Sequence, residues 1–130
     1  MNNKLILLAV MVLAGCSVMG STMAQLQASH WQLQGANSDT FTLQVTDGKV
    51  AGKGGCNRYF GKLSQQGEGL LKVSSIGVTR MMCMGALAAE ESAYLQKLEQ
   101  VSAFKVSGQQ LVLSDANNVA LLTFNAVAGK

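Results

Sequence analysis

A cysteine surrounded by methionines marks the segment from Met81 to Met84 as the most sulfur-rich stretch of the chain. Thiolate and thioether sulfur are the ligands that soft cations such as Cu(I) prefer. Methionines beside a cysteine also pack as ordinary apolar side chains, and a disulfide at Cys83 would withdraw that sulfur from a metal. We therefore predict no metal site here, and keep a periplasmic copper- or redox-handling protein that uses Cys83 as the alternative.

Glu91 is a carboxylate at a position where the surrounding pattern predicts an apolar residue. Its neighbours at helical spacing form an apolar stripe, and Glu91 interrupts that stripe. A buried carboxylate needs hydrogen-bond partners, which we expect from Thr79, from Arg80 or from backbone amides of residues 56–58. A catalytic carboxylate is the alternative, but the sequence offers no obvious second catalytic residue to act with Glu91.

The sequence Gly54, Gly55, Cys56, Asn57 predicts a sharp corner in the backbone. Glycine and asparagine tolerate the positive φ angles that such corners need. A glycine-rich loop can also present backbone amides to an anion, and this remains the alternative. The structural corner is the interpretation that we favour.

The chain lacks the signatures of the common hydrolases and metalloenzymes. It contains no GxSxG, HExxH or P-loop motif, and its one histidine, His30, cannot form a zinc site of typical ligand spacing. We therefore expect a protein that is not an enzyme and carries no cofactor. Without Lys4 the chain has nine basic and seven acidic residues and no basic cluster, which argues against nucleic-acid binding.

The first 15 residues have the layout of an export signal. Lys4 provides a positive charge, and the apolar run from Leu5 to Ala14 is too short for a membrane span. The sequence Leu-Ala-Gly before Cys16 resembles the lipobox of bacterial lipoproteins, in which the cysteine becomes acylated after cleavage. Ordinary cleavage after Ala24 is the alternative.

This N-terminus implies attachment to a membrane through lipid on Cys16. Two or more acyl chains give stable anchoring, and Ser17, in place of an aspartate, implies sorting to the outer membrane, on its periplasmic face. We expect a signal peptide over residues 1–15, a small and polar tether over 16–28, and a folded domain over 29–126.

Acylation of Cys16 leaves Cys56 and Cys83 as the remaining cysteines. An oxidising periplasm favours a disulfide between them, which would stabilise the fold by about 3–4 kcal/mol. Two buried free thiols are the alternative, because spacing along the chain does not show whether the side chains meet.

Periodicity predicts an α+β domain, mostly antiparallel β-sheet of about seven to eight strands. Alternating residues predict strands near 30–34, 41–46 and 49–53, and the Asp47-Gly48 pair between the last two predicts a tight hairpin. Two further strands follow, one through Tyr59 and Leu63 and one from Leu70 to Ile76. One helix, about 86–101, precedes three closing strands, over residues 103–107, 110–114 and 119–125.

Five segments, taken in order, resemble the META domain of HslJ-like heat-shock proteins. They are Trp31 with Leu33, Gly55 to Asn57, Thr79 to Cys83, Glu91 to Leu98, and Leu111 with Leu113. The resemblance covers about residues 29 to 125. The residues that match motif positions of the family are Gly55, Cys56, Asn57, Thr79, Met82, Cys83 and Glu91.

The resemblance implies a fold and a cellular context but no reaction. The family is associated with heat shock, envelope stress and tolerance of the antibiotic novobiocin, and has no established catalytic site. We therefore expect a monomeric, non-catalytic lipoprotein that binds an envelope protein or a small hydrophobic ligand. This functional expectation is an analogy at the level of the fold.

Overall fold

The computed structural model describes residues 21–35, 40–80 and 83–127. The elements are α1 (Met23–Gln27), β1 (His30–Leu33), β2 (Thr42–Thr46), β3 (Lys49–Lys53), β4 (Arg58–Gly67), β5 (Leu70–Val78), α2 (Gly85–Glu99), β6 (Ala103–Ser107), β7 (Gln110–Ser114) and β8 (Ala120–Val127). Eight strands, with a helix before the last three, confirm the predicted α+β class. Within these ranges, neither helix has the length and hydropathy needed to cross a membrane. The predicted signal peptide, Cys16 and Met82 lie outside the described residues.

Alternation of apolar and polar residues produces the strands as predicted. In β2, Leu43 and Val45 are buried while the residues between and after them face solvent. The turn after β2 contains Gly48 at φ 66°, a left-handed conformation that glycine adopts without a steric penalty. Val45 consequently pairs with Val50 across a tight hairpin, which confirms the turn expected at Asp47-Gly48.

The eight strands follow one another around a closed barrel, because β1 pairs with both β2 and β8. The antiparallel register of β1 and β8 joins Trp31 to Ala126 and Leu33 to Phe124. Inward-facing side chains from all strands fill the interior, so that Trp31 and Phe124 are at most 1% exposed. The barrel therefore encloses a packed apolar core.

The wall of the barrel is least complete between β5 and β6. These strands share one register pair, Leu70 with Ala103, whereas the neighbouring pairs of strands are joined along most of their length. The connecting helix α2 packs against β5 and β8. Its buried residues Tyr94 and Leu98 belong to the hydrophobic core, and Glu91 is the third buried residue of the helix.

A short helix, α1, occupies part of the segment predicted to be a tether. Its Thr22 N-cap and Gln25 form a capping box, and Leu26 is fully buried. The Trp31 Nε1 donates a hydrogen bond to the Leu26 carbonyl over 3.0 Å, and the amide of Val106 on β6 donates to Ser21 Oγ over 2.8 Å. The structure thus differs from the predicted tether over its described part, because Leu26 and the partly buried Met23 pack the helix against the barrel core.

Replacing Leu26 tests whether α1 belongs to the folded unit. We expect Leu26→Ala to lower the free energy of unfolding by about 2–5 kcal/mol, because it removes a buried side chain and leaves a cavity. Urea denaturation with the disulfide intact measures the change. Gln27→Ala, at an exposed position of the same helix, is the control and should change the value by less than about 0.5 kcal/mol. Equal effects of the two substitutions would show that α1 does not support the barrel.

Candidate functional site

The Gly54 to Asn57 segment forms the sharp corner between β3 and β4. The Gly54 amide donates to the Asn57 carbonyl over 2.8 Å, and the Gly55 amide donates to the Thr40 carbonyl over 2.8 Å. Gly55 has φ 103°, and a Cβ there would lie 3.0 Å from the Phe41 ring. Both conformation and close packing therefore require glycine, in agreement with the structural corner that the sequence predicts.

Glu91 binds this corner with both carboxylate oxygens. Its Oε1 accepts from the Cys56 amide over 3.0 Å and from the Asn57 amide over 2.7 Å. Its Oε2 accepts from Asn57 Nδ2 over 2.9 Å. Of the partners predicted for Glu91, the backbone amides of the corner are the ones that bind it directly, and α2 is thereby tied to the β3–β4 connection.

Thr79 reaches the carboxylate indirectly. Its Oγ1 donates to Asn57 Oδ1 over 3.2 Å and accepts from the Arg58 amide over 3.1 Å. Asn57 therefore lies between Thr79 and Glu91 and is itself buried, at 7% exposed. The Thr79, Asn57 and Glu91 side chains form one hydrogen-bonded network across the end of β5, the corner and α2.

A disulfide joins Cys56 to Cys83, as predicted, with their Cα atoms 6.0 Å apart. That separation is the usual one for a disulfide. The bond connects the corner to the segment that enters α2, and Asn57 Nδ2 lies 3.5 Å from Cys83 Sγ. The structure thus brings together six of the family-motif residues, namely Gly55, Cys56, Asn57, Thr79, Cys83 and Glu91.

The surroundings of Glu91 hold its carboxylate in the ionised form. Burial alone would raise its pKa, but hydrogen bonds from the Asn57 side chain, the Asn57 amide and the Cys56 amide outweigh burial and lower the pKa below its ordinary value. A general acid or base at neutral pH needs a pKa shifted the other way. The arrangement therefore suits a structural role.

Sulfur at this site is committed to the disulfide. Cys83 Sγ is bonded to Cys56, and Met84 is 73% exposed. Met81 and Met82 lie outside the described residues. Among the residues that are described, no group of three histidine, cysteine or acidic side chains could hold a metal ion. Because Cys83 is bonded to Cys56, the copper alternative would require the reduced protein.

Two buried tyrosines form a second polar cluster that the sequence did not predict. The hydroxyls of Tyr59 and Tyr94 lie 2.9 Å apart, and the Thr42 carbonyl accepts from them over 2.7 and 3.2 Å. A Cβ at Gly52 would overlap the Thr42 carbonyl, so glycine is required beside it. Burial raises the pKa of both tyrosines well above the ordinary value, and both remain protonated.

A signal for this cluster was nevertheless present in the sequence. A buried tyrosine hydroxyl needs a partner, and Tyr94 lies on the apolar stripe of α2. The pairing with Tyr59 depends on where α2 docks, which periodicity does not determine. The Tyr94 ring also contacts Phe41 and Phe124, with centroids 5.1 and 6.4 Å away.

A groove of about 340 Å³ lies between α2 and the barrel. Leu33 lines it from β1, Leu122 from β8 and Phe41 from the position before β2, and Gln34 adds an amide. From α2 come the Tyr94 ring and the side chains of Glu90, Ala93 and Lys97. Small-molecule sites generally have such an apolar lining with a few polar groups, and this volume lies at the lower end of their range.

Comparison with protein families identifies the chain. It matches the META domain over residues 24–128, a range that begins within α1 and includes every strand of the barrel. The chain belongs to the META domain family. This confirms the resemblance seen in the sequence and assigns the disulfide, the corner and Glu91 to a META domain.

Solved structures show the same fold. The chain is 25% identical to a Burkholderia xenovorans protein solved by NMR, with a TM-score of 0.67 over 91% of this chain and 96% of that one. A second NMR structure is 23% identical, with a TM-score of 0.62 over 82% of this META domain chain and 95% of the other. A DUF4847 family protein from Bacteroides vulgatus is 9% identical, with a TM-score of 0.60 over 81% and 96% of the two chains. No curated protein sequence matches significantly.

The carboxylate network predicts that stability depends on Glu91 and on pH. We expect Glu91→Ala to lower the free energy of unfolding by about 1.5–3 kcal/mol at pH 7, because three donors lose a charged acceptor. Glu91→Gln should lower it less, because one oxygen remains to accept. Since the folded pKa is lowered, the stabilisation is complete above the ordinary value of 4.5 and is lost as pH falls through the folded value. The difference between wild type and Glu91→Gln should therefore shrink between pH 7 and pH 3.

Chemical denaturation at several pH values measures these changes. Glu90→Gln removes a carboxylate from the adjacent, exposed position and serves as the control, with little expected effect on unfolding. An unchanged free energy of unfolding at pH 7 for both Glu91→Gln and Glu91→Ala would contradict a structural role for this carboxylate.

The Cys56–Cys83 disulfide predicts the number of free thiols. The Cys16→Ser variant, unfolded without reductant, should show no titratable thiol, because Cys56 pairs with Cys83. After reduction it should show two. Titration with a chromogenic disulfide reagent provides the count, and two thiols before reduction would favour the copper alternative.

Proposed function

We propose that this META domain protein is a lipoprotein of the outer membrane, anchored at Cys16 on the periplasmic face. The Leu-Ala-Gly-Cys sequence and the apolar run before it support this anchoring. The Cys56–Cys83 disulfide is in keeping with an oxidising compartment outside the cytoplasm. The lipid, rather than a protein segment, holds the domain at the membrane.

The domain binds a small hydrophobic ligand in the groove between α2 and the barrel, and it acts without catalysis. The groove carries this proposal, because its apolar lining comes from β1, β8, α2 and the residue before β2, which are far apart in the sequence and which the fold holds together. Glu91 is bound by the corner and keeps its charge, which argues against its use as an acid or base. The proposed role is tolerance of heat, envelope stress and novobiocin, as the family resemblance implies.

Complementation of a deletion strain tests the anchor and the groove separately. We expect wild type to restore survival after heat shock and growth in novobiocin. Cys16→Ser should be lost from the outer-membrane fraction and should not restore either phenotype. Ala93→Leu, which fills the groove from an exposed helix position, should remain in that fraction without restoring them.

Glu99→Gln, at another exposed position of α2, is the control and should complement fully. Retention of Cys16→Ser in the outer membrane would contradict lipid anchoring. Full complementation by Ala93→Leu would contradict a function for the groove, provided that both variants accumulate to wild-type levels.

A further inference from the structure

The α2 side of the groove carries opposite charges at its two ends. Glu90, Ala93, Tyr94 and Lys97 follow the spacing i, i+3, i+4, i+7 and therefore share one face of the helix. Glu90 and Lys97 are seven residues apart, and a rise of about 1.5 Å per residue therefore separates them by about 10 Å along the helix axis. The small side chain of Ala93 leaves the space between them open.

The floor of the groove between these charges is apolar. Phe41, before β2, Tyr94 on α2 and Leu122 on β8 are at most 6% exposed and present carbon-rich surfaces. Both charged residues are exposed, and no ion pair joins either of them to another side chain within residues 21–35, 40–80 and 83–127. An occupant that complements this surface has an apolar body with a cationic group at one end and an anionic group at the other.

We propose that the groove binds short apolar peptides with free termini, the terminal ammonium beside Glu90 and the terminal carboxylate beside Lys97. An extended tripeptide spans about 10 Å, which matches the separation of the two charges along α2. Its side chains pack on the floor formed by Phe41 and Leu122. This inference rests on the proposed function of the groove and adds the class of ligand.

Isothermal titration with the tripeptide Leu-Ala-Leu tests the assignment of each terminus. The mature, disulfide-intact protein in detergent is titrated with the free peptide and with its N-acetylated, C-amidated and doubly capped forms, against empty micelles as the blank. Exposed charge pairs contribute modestly, so each cap should weaken binding to wild type about two- to fivefold. Glu90→Gln and Lys97→Gln should weaken binding of the free peptide by the same factor.

The pairing of cap and substitution decides the orientation. If the terminal ammonium contacts Glu90, acetylation of the peptide should not further weaken its binding to Glu90→Gln but should weaken its binding to Lys97→Gln by the full factor. Amidation should show the reverse pattern, because the effects of changing two groups in contact are not additive. Ala93→Leu should weaken binding at least tenfold. Leucine is a good helix former, so thermal melting should show that this variant folds. Glu99→Gln and Lys72→Gln, which change exposed charges elsewhere, are the matched controls.

Equal affinity for free and doubly capped peptide, with no effect of Glu90→Gln or Lys97→Gln, would overturn the recognition of termini. If Ala93→Leu still weakened binding in that case, the proposed apolar function of the groove would stand. Absence of binding by every form of the peptide would overturn the peptide proposal, while the complementation experiment judges the groove itself.

Discussion

The carboxylate of Glu91, bound by the amides of Cys56 and Asn57, is the interaction on which the rest of the domain depends. Burying a charged side chain costs free energy unless hydrogen-bond donors replace the water that the charge loses. Three N–H groups from the corner supply that replacement at 2.7 to 3.0 Å. The corner must therefore hold its amides toward α2, which explains why its backbone needs glycine at Gly55 and why Asn57 is fixed in turn by Thr79.

The same interaction determines how the barrel is completed. Strands β5 and β6 meet at one register pair, so the helix between them, rather than further strand pairing, supplies the missing core contacts. Glu91 and the disulfide attach the first half of α2 to the β3–β4 corner, and Tyr94 then lies against Tyr59 and Phe124. The groove is a consequence of this placement, because the face of α2 that bears Glu90, Ala93 and Lys97 lies beside Leu33 of β1 and Leu122 of β8.

Much of this architecture could be predicted from local pattern. The alternation in β2, the turn at Gly48 and the helical stripe around Leu98 each depend on residues close in sequence. Glu91 stood out because it interrupts its stripe, and its need for partners follows from charge alone. Helix α1 was not predicted, because its core contacts come from only two residues, Leu26 and Met23, whose burial depends on a barrel surface built from distant strands.

By itself, the sequence determined the class of fold and the family, since each follows from residue type and short-range spacing. Only the tertiary structure decided that β1 closes on β8, that Glu91 binds the corner amides rather than Arg80, and that Tyr59 meets Tyr94. These outcomes join residues far apart in the chain. Their physical reason is burial of one shared apolar core, which brings distant strands and α2 together and which no local pattern determines.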